Sequence, residues 1–202
     1  MTQAYFDAVA DKWDEMRAEF FSEAVRERAI AAVGVAPGTR ALDVGAGSGF
    51  VASALLAAGA QVDAVDASPE MVELLRRRGV AARVADAERL PFENGTFDRA
   101  FANMCLHHVE RPGVALREMA RVLRPGGRLA VTDLDAHAFD FLRVEHHDRW
   151  MGFAREDVAR WLREAGLADV RVEDAQASCC ASSACGTQKA DVSIFLATAR
   201  RP

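Results

Sequence analysis

Three sets of residues in this 202-residue chain carry groups able to hold a ligand or react. The first is Leu42-Asp43-Val44-Gly45-Ala46-Gly47-Ser48-Gly49-Phe50 followed by Val62-Asp63-Ala64-Val65-Asp66. It reads as an apolar strand entering a glycine-dense turn, a helix, and a second strand ending in a carboxylate. Gly45 and Gly47 allow a tight turn and bring bare backbone against a ligand. Asp66 follows Gly45 by 21 residues, where such a unit sets an acid on ribose hydroxyls. A dinucleotide fingerprint would need glycine at position 50, where Phe50 stands. No Lys-Ser or Lys-Thr follows the glycines, and lysine occurs only at Lys12 and Lys189. A polyphosphate would therefore meet only a helix N-terminus as positive partner. The pattern suits a ligand with ribose but no phosphate, the alternative being a bare tight turn.

The second set is histidine. His107-His108 follows the fourth strand, and Glu145-His146-His147-Asp148 follows the fifth. Neighbours on a helix point about 100° apart, so at most one of each pair faces a site. His107, and His146 with Glu145, are the candidate bases or ligands; a structural or hydrogen-bonding role is the alternative for the first pair and a solvated helix end for the second. The third set is sulfur: Cys179, Cys180 and Cys185 fall within seven residues, with Cys105 far upstream. Their spacing matches no standard zinc pattern. A soft trigonal ion is better served by three thiolates, the alternative being small residues filling a loop.

The elements that must position these groups alternate. Two amphipathic stretches, about 5–17 and 19–34, open the chain. Strands are expected at Arg40–Val44, Gln61–Val65, Val80–Val84, Asp98–Ala102 and Arg128–Leu134. Helices are expected at Phe50–Ala58, Pro69–Arg78 (with Ser68 as N-cap) and Gly113–Leu123. After a looser region at about 140–153 come a helix at Arg155–Glu164 and strands at Ala168–Asp174 and Val192–Ala199. Residues 175–190 have no helical periodicity and suit a hairpin loop. Alternation of this kind argues an α/β fold with a mostly parallel sheet covered on both faces.

Length suits one domain. The net charge of −5 and the lack of a basic stripe argue against nucleic acid. No apolar run is long enough for a membrane span, and residues 1–15 lack the order of a signal peptide. A cytoplasmic chain with reduced thiols is expected. Nothing in the pattern bears on oligomeric state.

Six segments in order resemble a class I S-adenosylmethionine-dependent methyltransferase of the small-molecule superfamily. They are Leu42–Phe50, Val65–Met71, Asp86-Ala87-Glu88-Arg89-Leu90-Pro91-Phe92, Phe97-Asp98, Leu106-His107-His108-Val109 and Leu116 through Gly127. The resemblance implies a Rossmann-like seven-stranded sheet in order 3-2-1-4-5-7-6, with the seventh strand antiparallel. It implies S-adenosylmethionine as cofactor and a small-molecule acceptor. Asp43 would organise the loop and the cofactor's amino-acid end, while Gly45 and Gly47 admit its methionine part. Asp66, with Ala67 beside it, would take the ribose hydroxyls, and Asp86 with Ala87 the adenine. Met71 would pack on the adenine face or in the core, and Asn103 would lie near the sulfonium. Residues 1–34 would form a helical lid, or a permanently packed helix, over a cofactor-binding core at 38–134. Residues 135–202 would supply the acceptor side and a C-terminal hairpin. A narrower resemblance, to arsenite methyltransferases, makes Cys179, Cys180 and Cys185 ligands of trivalent arsenic. The reading from another class is a non-catalytic S-adenosylmethionine-binding or metal-sensing module.

Overall fold

The computed structural model describes residues 2–183 and 185–202. Among these, seven strands form one sheet: β1 (Arg40–Val44), β2 (Gln61–Asp66), β3 (Ala81–Val84), β4 (Phe97–Asn103), β5 (Leu123–Leu134), β6 (Ala168–Ser182) and β7 (Lys189–Arg200). Their spatial order is β3-β2-β1-β4-β5-β7-β6, with β7 antiparallel to both neighbours. The helices are α1 (Thr2–Val9), α2 (Trp13–Phe20), α3 (Ala24–Val33), α4 (Phe50–Ala57), α5 (Pro69–Arg77), α6 (Pro112–Val122), α7 (Asp140–Glu145) and α8 (Arg155–Glu164). The expected Rossmann-like fold with an antiparallel C-terminal pair is observed.

The period-2 alternation of the strands divides the core. Ala41, Phe101, Ala130, Ile194 and Leu196 face one side, against α3, α4 and α5. Leu42, Val44, Ala100, Leu129, Val131 and Phe195 face the other, against α6 and α8. Both faces of the sheet are thereby apolar, as a parallel sheet requires. Strand order reverses between β1 and β4, opening a crevice at their carboxyl ends. Ser68 caps α5, its Oγ accepting from the Met71 amide at 3.1 Å, with Pro69 in the first turn.

Three expectations change. The N-terminal stretches are three helices, not two. A 3-10 turn at Ala10–Lys12 separates α1 from α2, and Phe21 is extended and buried against Phe50 before α3 begins. A short helix, α7, lies in the region read as irregular. The final strands are much longer than expected, because residues 175–182 and 189–191, read as loop, continue the ladder from Ser178↔Ser193 to Ser182↔Lys189. Ala175, Cys179 and Ala181 turn inward along β6, at 0%, 9% and 8% exposure. A register shift between Asp174 and Ser178, where Gln176 has φ +52°, interrupts the alternation before that ladder resumes.

Candidate functional site

The crevice holds a cavity of 360 Å³ bounded by the loop after β1, the ends of β2 and β4, and residues 85–88. That is within the ~300–1,000 Å³ usual for small-ligand sites. Gly45, Gly47, Asp66, Ala67, Asp86, Ala87 and Asn103 all line it. Two of the expected cofactor residues do not. Asp43 lies buried beneath the loop, its Oδ2 accepting from the Ala52 amide at 2.9 Å and so tying α4 to β1. Burial, with the Asp66 charge nearby, pushes its carboxyl up to about 7. Met71 is a core residue with no exposed surface, held there because capping by Ser68 turns the first face of α5 inward. Of its two expected positions, the core is the one observed.

Asp66 is oriented by the backbone around it. Its Oδ2 accepts from the Gly47 amide at 2.8 Å and its Oδ1 from the Ser68 amide at 2.9 Å. Burial raises its pKa, and these amides work against the rise. Gly45 is glycine for two reasons. Its φ is +66°, and a Cβ there would come within 2.6 Å of the Cβ of Cys105, a protein neighbour and not only a ligand. Left-handed strain alone costs about 1–3 kcal/mol. At about 2–4 °C per kcal/mol for a chain of this size, Gly45→Ala is expected to melt at least about 5 °C lower in a thermal scan. A variant within about 2 °C of the parent would contradict this packing. Across the cavity, Asp86 Oδ1 accepts from the Glu88 amide at 2.9 Å, and Asn103 Oδ1 accepts from Thr132 Oγ1 at 2.8 Å.

The N-terminal helices cover the opening. Phe6, Trp13, Arg17 and Phe21 line the same cavity, and the Trp13 ring lies over Gly47. Asp14 accepts from Ser48 Oγ and from Arg78 at 2.6 Å, while Arg78 also donates to the Ser48 carbonyl at 2.7 Å. The Arg17 guanidinium sits 4.0 Å from the centre of the Phe50 ring. The segment packs on the loop through these polar and aromatic contacts.

Beyond the cover lies a second niche, of about 50 Å³, sharing Phe6, Trp13, Phe21, Met104 and His108 with the first. Tyr5, Phe20, Leu134, Leu142, His107, His146, Asp148 and Cys179 complete it. His107 lies on a 3-10 turn at Leu106–His108, and its Nδ1 donates to Asp133 Oδ1 at 2.6 Å. Burial opposes its charged form, but Asp133 and Asp148 outweigh this and push its pKa up to about 9. The opposite holds for His108: burial and the His107 charge keep its pKa well below the usual imidazole range. The two rings lie 4.0 Å apart, both directed toward Asp148, so the expectation that only one of the pair faces the site fails on this tight turn. Asp148 is brought in because the His107 carbonyl accepts from the Arg149 and Trp150 amides, at 2.9 and 3.0 Å. Burial pushes its carboxyl up to about 6. His146 joins the niche edge-on to Phe20, and burial lowers its pKa. Glu145, at the end of α7, lines neither cavity.

Asp133 is thus the member of the site absent from the sets read in the sequence, while His108 and Asp148 stood in the histidine strings without being chosen as candidates. One signal was present: Asp133 interrupts the apolar run Leu129 to Leu134, and a buried acid needs a partner.

The three sulfurs do not converge. Cys179 faces the niche, and burial pushes its thiol up to about 12. Cys180, one residue on, takes the opposite face of β6 beside Asp191. Cys185 lies exposed in the turn, where the Ser183 and Thr187 hydroxyls bring its thiol down to about 7. Alternation along a strand separates adjacent residues that a flexible loop would have allowed to turn together. Among the described residues the close group of metal-binding atoms is His107, His108 and Asp148.

This geometry has counterparts. A family model described as a methyltransferase domain matches residues 42–131. A demethylmenaquinone methyltransferase of Mycobacterium sp. (strain KMS) is 35% identical over 184 residues, covering 81% of this chain and 80% of the relative. A ubiquinone biosynthesis O-methyltransferase of Xanthomonas oryzae pv. oryzae is 34% identical over 152 residues, covering 64% and 63%. Among solved structures, the methyltransferase in complex with the Haloferax volcanii Trm112 methyltransferase activator superposes with a TM-score of 0.76 at 22% identity, covering 98% and 97%. That likeness speaks to the fold alone.

Proposed function

The chain belongs to the class I S-adenosylmethionine-dependent methyltransferases, and from that premise we propose that it methylates a compact hydroxylated aromatic ring of the phenol or hydroquinone class. The observation carrying this is the niche joined to the cofactor cavity: aromatic and aliphatic side chains on most sides, with a histidine–carboxylate cluster at one edge. Rings favour such walls through offset and edge-on contacts. Two relatives are named for demethylmenaquinone and ubiquinone biosynthesis, which supports a quinone-type ring.

In this reading Asp66 would hold the ribose, Asp86 and Ala87 the adenine, and Gly45 and Gly47 the methionine end. Asn103 borders the sulfonium. Transfer is an in-line displacement in which the enzyme mainly holds the partners in place. The acceptor's electron pair forms the new bond to the methyl carbon as the carbon–sulfur bond breaks. That bond's electron pair stays on sulfur and leaves S-adenosylhomocysteine. The hydroxyl proton passes to the histidine–carboxylate cluster at the niche edge. The seated cover keeps water from the methyl group.

Release of S-adenosylhomocysteine from the full chain with catechol, hydroquinones, simple thiols or arsenite tests the reading. Turnover is expected with the hydroxylated rings and none above blank with arsenite or thiols. Turnover confined to arsenite or thiols would overturn it.

A further inference from the structure

We propose that Nε2 of His107, Nδ1 of His108 and a carboxylate oxygen of Asp148 are ligands of a divalent first-row transition cation, whose remaining coordination positions open on the acceptor niche. Two separate elements deliver these atoms, the turn after β4 and the segment after α7, and Asp133 of β5 stands behind them. The atoms lie within 4.8 Å of one another, with Asp148 Oδ1 at 3.8 Å from His107 Nε2 and 4.0 Å from His108 Nδ1. Bond lengths of about 2.0–2.2 Å would set ligand atoms ~3.0–3.4 Å apart, so the two Asp148 distances need shorten by at most about 1 Å and the widest separation in the cluster by at most about 2 Å.

Two further observations point to a cation and not to a plain hydrogen-bonded group. His107 directs Nδ1 at a buried carboxylate, 2.6 Å from Asp133 Oδ1, which leaves Nε2 aimed at the cluster. That outer carboxylate is the device that fixes ring orientation and tautomer in metal-binding histidines. His108 Nδ1 is buried without a hydrogen-bond partner, a state that costs free energy unless something ligates it. His107 and Asp148 are each only 5% exposed. Two imidazoles and one carboxylate suit borderline divalent cations and leave positions free for substrate.

The consequence for catalysis rests on the hydroxylated-acceptor reading: a cation here would replace proton uptake by the cluster, binding the acceptor oxygen and lowering its pKa so that the proton is lost to solvent on binding, before methyl transfer. Metal binding itself does not depend on that reading, and the test is made without acceptor. The 202-residue chain carrying Cys180→Ser and Cys185→Ser, which removes exposed competing thiols, is stripped with chelator and titrated with Co²⁺. Visible ligand-field absorption is expected to saturate at one equivalent. His108→Gln and Asp148→Asn are each expected to weaken Co²⁺ binding by about tenfold or more, while calorimetry shows S-adenosylmethionine binding by Asp148→Asn, which lies outside the cofactor cavity, within about threefold of the parent. Absence of saturable absorption in the parent, or equal binding in both variants, would overturn the site. A failed acceptor screen with intact Co²⁺ binding would remove the acceptor reading and leave the site standing.

Discussion

An Asp66→Ala chain is expected to bind S-adenosylmethionine at least about 100-fold more weakly than the parent in calorimetry, while melting within about 5 °C of it. The proposed seat of the ribose is this carboxylate, and the loop has already aimed it. Each Asp66 oxygen accepts one amide, from Gly47 and from Ser68, which leaves lone pairs for a diol. Ribose bonds would therefore add to the existing ones and replace none. A hydrogen bond to a charged group contributes about 1.5–3 kcal/mol, so losing two removes roughly 3–6 kcal/mol. At about 1.4 kcal/mol per tenfold, the lower figure already gives about 100-fold. The fold loses less, because the freed amides border the cavity and water can reach them. Asp66→Asn should fare little better, since its amide nitrogen would confront the Gly47 or the Ser68 donor. Parent-like affinity in Asp66→Ala would remove the ribose from this position.

The part of the site legible in the sequence is the part built from neighbours in the chain. Gly45 through Gly49 forms one loop directly after β1, and the distance from Gly45 to Asp66 is set by a single helix and strand, so residue types and spacing carry the geometry. The strand faces were legible for the same reason: side chains alternate whatever the sheet packs against. Met71 was ambiguous, because one turn of α5 brings it near both core and cavity, and only the Ser68 cap decides which. The cysteines were misplaced for a sharper reason. Residues 175–182 are small and polar, a composition shared by loops and by strands at a sheet edge, and β6 is the edge strand. The histidine cluster depends on contacts between distant segments. Arg149 and Trp150 donate to the His107 carbonyl some 40 residues earlier in the chain, and no local pattern encodes that meeting.

The largest loss of stability is expected from Asp133→Ala. This carboxylate has no exposed surface, yet four donors converge on it: the amides of Leu106 and His107 on Oδ2, and the His107 ring and the Leu134 amide on Oδ1. Its removal leaves all four facing a small apolar void. Each unsatisfied buried donor costs about 1–3 kcal/mol, and breaking a buried charged pair by removing one partner costs about 3–5 kcal/mol. Relaxation of the Leu106–His108 turn offsets part of this, since its amides are not within a helix or strand interior. A net loss of about 4 kcal/mol is a large share of the 5–15 kcal/mol typical of a domain, and corresponds to a melting point about 8–16 °C lower. The damage should be shared with His107. In His107→Leu the ring donor is gone, so adding Asp133→Ala to that background should cost less than it does in the parent. Denaturant titration of the four chains measures that coupling, expected at about 1–3 kcal/mol. Strict additivity would show that Asp133 and His107 are held independently, and that the carboxylate serves the turn's backbone and not the imidazole.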